Sequence, residues 1–278
     1  MSAQDAQDLQ GKSILVTGAN SGIGRATALE LARRGGKVFV AARSEEKSKE
    51  VIDEIGDSAV YLHLDLGDLS AVRASADAFL ARDEPLHVLV NNAGLAGQRG
   101  ITKSGFELAF VTNHVGHFLF TNLLLDRLKA SGPSRIVNVS SMSHYQAKGI
   151  DYEAVRKPTK SITGLPEYAV SKLANVVHAQ ELARRLDGTG VTTYSLHPGA
   201  IASNVWRRVP WPLDAVMKLV MKSNEEGART SVYCATEPSL ANESGKYYDD
   251  CKEKEPNNVA TPELGADLWR KSEEWTRG

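Results

Sequence analysis

Tyr168 and Lys172 stand four residues apart in Tyr168-Ala169-Val170-Ser171-Lys172, a stretch whose helical spacing continues through Leu173, Val176, Val177, Ala179 and Leu182. On a helix that spacing sets both side chains on one face. A free phenol titrates near pH ~10, too weak an acid to exchange protons readily at neutrality. A neighbouring ammonium stabilises phenolate and brings the pair toward a useful acid–base range. Tyr and Lys meet this way by chance on many helices, so the pair needs companions. One is Asn138-Val139-Ser140-Ser141, an apolar strand pattern ending in two hydroxyls. At the carboxyl edge of a parallel sheet such groups lie where open α/β folds bind ligands.

A second constellation is Thr17-Gly18-Ala19-Asn20-Ser21-Gly22-Ile23-Gly24, set between an apolar run and a helical pattern. Glycines there permit a tight turn and a close backbone approach to a pyrophosphate, whose charge is met by N–H groups at the helix start. Gly18, Asn20, Ser21, Gly22, Ile23 and Gly24 are therefore candidate nucleotide contacts. The spacing is Gly-x-x-x-Gly-x-Gly rather than Gly-x-Gly-x-x-Gly. After the next strand pattern comes Ala42-Arg43-Ser44, where an NAD binder would carry Asp or Glu for the ribose hydroxyls. A guanidinium can grip a 2′-phosphate, which favours NADP(H) over NAD(H). Glu45 and Glu46 follow closely, and pairing with them would leave Arg43 an ordinary solvated residue.

The elements that must position these groups are readable too. Ser13–Thr17, Lys37–Ala42, Val60–Asp65, Leu86–Asn91, Arg135–Ser140 and Val191–His197 are short runs rich in Val, Ile, Leu or Tyr. Helical patterns lie between them, such as Ile23-Ala26-Thr27-Leu31 and Val72-Ala76-Phe79-Leu80. Alternation of this kind implies right-handed crossovers and a mostly parallel sheet covered on both faces. The expected fold is α/β, one doubly wound domain spanning residues 1–278, with no repeat or linker to divide it. The polar, Lys-rich stretch His144–Pro166 is long for a loop and reads as a substrate-side loop or a mobile excursion. Residues 203–222 mix Trp206, Trp211, Val216 and Met217 with basic residues; they read as a helical substrate lid, against a membrane- or partner-facing patch. Thr261–Gly278 reads as an amphipathic helix with Trp275 near an exposed end.

Composition narrows the class. Thirty-three Lys and Arg balance 34 Asp and Glu, a net charge of −1, which argues against nucleic acid and anionic membrane as partners. Two cysteines, Cys234 and Cys251, supply neither a disulfide framework nor a paired-Cys zinc site. His114 and His117 have no Asp, Glu or Cys companion at ligand spacing, so no metal is expected and packing or a substrate-mouth role is. The N-terminus lacks the pattern of a signal peptide, and no run approaches the ~18 apolar residues of a membrane span. A cytoplasmic enzyme is the expectation.

Thr17–Gly24, Asn91-Asn92-Ala93-Gly94, Asn113, Ser140-Ser141, Tyr168–Lys172 and Pro198-Gly199, in this order, resemble the motif series of the short-chain dehydrogenase/reductase family. Asn113-His-Val-Gly-His-Phe118, Ser171–Asn175 and the long gap from Ser141 to Tyr168 resemble its retinol dehydrogenase-like branch. The resemblance implies a Rossmann-type fold with a mostly parallel seven-stranded sheet, the last strand near Lys246–Asp250. It also implies roles. Tyr168 would exchange a proton with the substrate oxygen, Lys172 would lower the tyrosine pKa and hold the nicotinamide ribose, and Ser141 would hydrogen-bond that oxygen. Asn113 would anchor a water linking Lys172 to solvent. Asn91, Ala93 and Gly94 would shape the cofactor floor, Asp65 and Leu66 would meet the adenine, and Pro198, Gly199, Ile201 and Ser203 would bracket the carboxamide.

The same resemblance implies an apolar aldehyde, ketone or alcohol as substrate, and a homodimer or homotetramer formed through the helices around Asn113–Lys129 and Pro166–Arg185. The membrane anchor of many branch members has no counterpart here, which favours a carbonyl reductase. The alternative is a catalytically silent NADP(H)-binding sensor or scaffold, which would not need the Tyr/Lys/Ser/Asn set.

Overall fold

A computed structural model describes residues 8–199 and 223–277. Ile201, Ser203 and the lid expected at 203–222 lie outside the described residues. Parallel strands β1 (Ser13–Thr17), β2 (Lys37–Ala42), β3 (Ala59–His63), β4 (Val88–Asn91), β5 (Ser134–Val139), β6 (Val191–His197) and β7 (Lys246–Asp249) form one sheet, ordered β3-β2-β1-β4-β5-β6-β7. The order reverses between β1 and β4, which opens a crevice at their carboxyl ends.

The two-residue period of a strand sends alternate side chains into two cores. Leu15, Phe39, Leu89 and Ile136 enter one; Ile14, Val16, Val38, Val40, Val88, Val90 and Val137 enter the other. Both faces are covered, so β1 and β4 are buried throughout, and apolar except for Ser13 and for Thr17 and Asn91 at the carboxyl ends. The covering helices are α1 (Gly22–Arg33), α2 (Glu45–Ile55), α3 (Leu69–Leu80), α4 (Leu108–Ala130), α5 (Leu165–Arg185), α6 (Asn224–Thr236) and α7 (Pro262–Thr276). By length and composition α4 could cross a bilayer, but 72% of its most apolar window is buried in this fold, as in a core helix. A third cluster, with Phe106, Phe110, Leu173 and Leu268, joins α4, α5 and α7.

An eighth strand, β8 (Lys252–Lys254), pairs antiparallel with β7 through a tight turn at Asp250 and Cys251, where φ is 50° and 59°. The expected sheet of seven strands is thus one short. Lys-Glu-Lys offers no apolar alternation because all three residues are exposed on the sheet edge. The stretch from His144 to Pro166 is anchored rather than a loose excursion. Asn257 Nδ2 donates to the carbonyls of His144 and Ala147, both at 2.8 Å, and Thr159 Oγ1 donates to buried Glu107 Oε1 at 2.5 Å. Trp275 does not stand at an exposed end either. Its ring meets those of Phe106, Tyr152 and Phe110 at 5.5, 5.9 and 6.0 Å.

Candidate active site

The carboxyl ends of β1, β4, β5 and β6 converge on the crevice. At the end of β1 the chain turns at Gly18, φ 66°, and its N–H donates to Ala41 O at 2.8 Å. A Cβ at Gly24 would lie 2.3 Å from Asn92 Nδ2 and 2.4 Å from Gly18 O, so only glycine lets α1 begin this close to the turn. Among the described residues the space above Gly22 is open: the nearest atom to a Cβ there would be Asn224 Oδ1 at 3.9 Å. Ser21 at the helix start makes no side-chain cap, and the first turn of α1 carries no acidic residue, so its N–H groups face the crevice without an internal anion. Asn20, Ser21 and Ile23 remain partly or fully exposed there. These features fit the pyrophosphate of a dinucleotide.

Arg43 is exposed just past β2 and makes no ion pair or hydrogen bond among the described residues, Glu45 and Glu46 included. The Tyr61 hydroxyl donates to Ala42 O at 3.0 Å and steadies the strand end before it. Asp65 and Leu66 follow β3. Gly116 of α4 lets this loop lie against the helix, since a Cβ there would come 2.4 Å from Leu66 O.

Tyr168 and Lys172 lie on the first turns of α5, which starts at Gly164, φ 67°, with Pro166 in its first turn. Lys172 is buried and its Nζ donates to Val139 O at 2.8 Å, 5.7 Å from the Tyr168 ring centroid. The two serines after β5 part company. Ser140 is buried and its hydroxyl donates to Lys172 O at 2.7 Å. Ser141 is half-buried; its hydroxyl donates to Ser143 Oγ at 3.3 Å, accepts from Ser143 N at 3.2 Å, and lies near enough to the Tyr168 phenol to favour its ionised form. Asn113 is fully buried on α4, inside a π-helical turn, Val111–Val115. Its Oδ1 accepts from Leu95 N at 2.9 Å, and its Nδ2 donates to Leu95 O at 3.0 Å and Ser171 Oγ at 2.9 Å. Gly94 separates the groups: a Cβ on it would lie 3.2 Å from Asn113 Oδ1 and 3.3 Å from Lys172 Nζ. Pro198 and Gly199 (φ 94°) follow β6, while His197 Nδ1 accepts from Met142 N at 3.3 Å.

Burial pushes Lys172 down to about 8, so near neutrality its ammonium is held at a cost. Burial pushes the Tyr168 phenol up, and the Ser141 hydroxyl opposes this in part. In this geometry the lysine therefore does not by itself bring the phenol below its ordinary range, as the i,i+4 argument expected.

Two placements are more specific than the expectation. The Asn91 side chain turns inward, its Nδ2 donating to Thr121 Oγ1 at 2.9 Å and Asn138 Oδ1 at 3.0 Å, so the side chain braces β4, β5 and α4. Of the two roles expected for His117, packing is the one the fold shows: it is buried in the core. Sequence reasoning overlooked Ser171, whose hydroxyl donates to Tyr168 O at 2.7 Å while accepting from Asn113, and Thr17, whose Oγ1 accepts from the N–H groups of Asn92 and Ala93 at 2.9 Å. Both sit inside recognised motifs, but only tertiary contacts reveal their partners.

Residues 12–211 match the family model described as short chain dehydrogenase. The chain is 46% identical over 254 residues to retinol dehydrogenase 11 of Homo sapiens, covering 87% of this chain and 78% of that protein. It is 42% identical over 279 residues to retinol dehydrogenase 13 of Homo sapiens, covering 95% and 84%. Among solved structures, an uncharacterized protein from Mycobacterium paratuberculosis superposes with a TM-score of 0.81 at 32% identity, covering 100% of this chain and 97% of that one. A short chain dehydrogenase from Salmonella enterica gives 0.71 at 25%, covering 90% and 99%. Members of this family bind a nicotinamide dinucleotide, for which the open turn above Gly22 and the uncapped start of α1 leave room. The chain belongs to the short chain dehydrogenase family of oxidoreductases.

Proposed function

We propose that the protein uses NADP(H) to interconvert an apolar aldehyde or ketone and its alcohol, with Ser141, Tyr168, Lys172 and Asn113 as the working set. The observation that carries this reading is the buried Lys172 ammonium 5.7 Å from the Tyr168 ring, on the helix that Ser140 ties to the end of β5 beside Ser141. The bound nicotinamide supplies or accepts the hydride.

The chain's own residues handle the oxygen and its proton. During carbonyl reduction Tyr168 donates its phenolic proton to the substrate oxygen as negative charge develops there, and Ser141 donates a hydrogen bond to the same atom. In alcohol oxidation the proton returns to Tyr168. Lys172 places positive charge under the developing phenolate. Asn113 has spent its side chain on Leu95 and Ser171, so what it offers a proton-relaying water is its main-chain carbonyl.

Arg43, which has no carboxylate partner among the described residues, supports NADP(H) over NAD(H), since such a guanidinium suits a 2′-phosphate. Exposed Met142 follows Ser141 in the chain and exposed Leu165 begins the helix of Tyr168, apolar surfaces that support an apolar substrate. The relatives named retinol dehydrogenases make a polyene alcohol or aldehyde the first candidate. The test follows NADPH absorbance with retinal and with aromatic, aliphatic and steroid carbonyls. Consumption that Tyr168→Phe abolishes supports the proposal. Tight NADPH binding with no consumption of any carbonyl overturns it in favour of a sensor.

A further inference from the structure

His117 lies one helical turn after Asn113 on α4 and is 2% exposed. Its Nδ1 is 3.0 Å from Asn113 O, and its Nε2 is 2.9 Å from Thr17 Oγ1. Proton accounting fixes the direction of each bond. Thr17 Oγ1 already accepts two backbone N–H groups, from Asn92 and Ala93. Its own proton has two candidate acceptors, Val90 O at 3.4 Å and His117 Nε2 at 2.9 Å, and the imidazole is much the better placed. Nε2 then carries no hydrogen, so Nδ1 does, and it donates to Asn113 O. The imidazole is neutral, in keeping with burial that pushes its pKa down to about 4.

The carbonyl it holds lies in the π turn Val111–Val115, where the regular i→i−4 ladder is interrupted. The hydroxyl it holds closes β1 against the segment after β4, one residue before the glycine turn. Thr17 O also accepts from Asn92 Nδ2 at 2.8 Å, the atom against which Gly24 is packed. One side chain thus ties the backbone of Asn113 to the frame of the nucleotide turn.

We infer that His117 is a positioning residue that locks the π turn carrying Asn113 to the Thr17–Asn92–Ala93 frame, so that the proton-handling set and the nucleotide turn keep one register. The inference rests on the proposed function for its turnover arm only. Two isosteres separate the ends of the ring. His117→Asn keeps a donor where Nδ1 stood and loses the Thr17 contact. His117→Gln keeps a group where Nε2 stood and loses the Asn113 contact.

The test measures three quantities on each variant: amide exchange of Asn92 and Ala93 in cofactor-free protein, the Kd for NADPH, and kcat. His117→Asn is expected to speed exchange at both amides and raise the Kd about tenfold, with kcat at saturating cofactor within about threefold of wild type. His117→Gln is expected to leave exchange and Kd near wild type and lower kcat about tenfold or more. A split in these opposite senses supports the role. Equal losses in both variants, or wild-type behaviour in both, overturn it. If the wild type turns over no carbonyl, the exchange and NADPH arms still decide the Thr17 link, and failure of the functional reading is seen separately.

Discussion

The Ser140 hydroxyl donates to the main-chain carbonyl of Lys172 at 2.7 Å and so bolts the end of β5 to the helix bearing Tyr168 and Lys172. Its neighbour Ser141, on the opposite side of the extended chain, makes no such tie; its hydroxyl caps the turn at Ser143 and acts on the Tyr168 phenol, favouring its ionised form. Adjacent serines therefore divide structure from chemistry. Ser140→Ala should cost about 1–2 kcal/mol of stability, read as a lowered Tm, with kcat reduced only a fewfold. Ser141→Ala should leave Tm near wild type and lower kcat about 10²-fold, because one donor to the developing oxyanion is gone. Thermal melts beside steady-state kinetics check the pair; the reverse pattern would reassign the two serines.

Tyr168→Phe keeps the ring and removes the proton donor. Turnover should fall by about 10²–10⁴-fold, the usual worth of a positioned general acid. NADPH affinity should hold within a fewfold, measured by fluorescence titration. Retained turnover would remove Tyr168 from the mechanism.

Lys172 titrates at about 8 in the folded chain, below its ordinary value of 10.5. Between those limits the unfolded chain binds more protons than the folded one, so this residue's contribution to stability rises with pH across that interval. Below about pH 8 the ammonium is charged in both states and its full desolvation cost, a few kcal/mol, is carried by the fold. Lys172→Met should therefore abolish turnover and raise the stability of the cofactor-free protein at pH 7. That gain should shrink as pH approaches 10. Denaturant melts of both proteins from pH 6.5 to 10 read this directly; a difference that does not change with pH contradicts the burial argument.

Arg43→Ala should weaken NADP(H) about 10- to 100-fold and leave NAD(H) nearly unchanged, since a charge-assisted contact to the 2′-phosphate is lost while both cofactors share the rest of the site. The ratio of KM values for the two cofactors, wild type against variant, is the measurement. An unchanged ratio sinks the NADP(H) assignment.

What could be read before the fold was known follows from how local each signal is. The i,i+4 spacing of Tyr168 and Lys172 becomes geometry as soon as the segment is helical, and the turn from Gly18 to Gly24 is specified by the glycines themselves. Strand runs were readable because burial on two faces makes them continuously apolar; β8 was not, because an exposed edge strand needs no apolar residue. Asn91 shows another limit. Its motif marks the place in the chain, but the direction of its side chain depends on Thr121 and Asn138, which come from elsewhere in the sequence. The roles of His117 and Ser171 likewise depend on a π turn that has no periodicity signal of its own.

Gly94 offers the sharpest separation of geometry from stability. It is exposed, and alanine there would fill no core space. Yet the added Cβ would stand 3.2 Å from Asn113 Oδ1 and 3.3 Å from Lys172 Nζ, tighter than ordinary contact. Asn113 is held by three hydrogen bonds and cannot give way cheaply, so the displacement falls on the lysine terminus, which has one bond to Val139 O and a flexible stem. Gly94→Ala should therefore move Tm by no more than about 2–4 °C, the equivalent of roughly 1 kcal/mol in a chain of this size. Its kcat should fall about tenfold or more, the effect expected when a charged group is shifted by a few tenths of an ångström under a reacting proton donor. Melting curves and kcat at saturating cofactor, measured on the same preparation, decide it. A variant with wild-type turnover would show that the Lys172 position tolerates displacement and that its charge matters more than its placement.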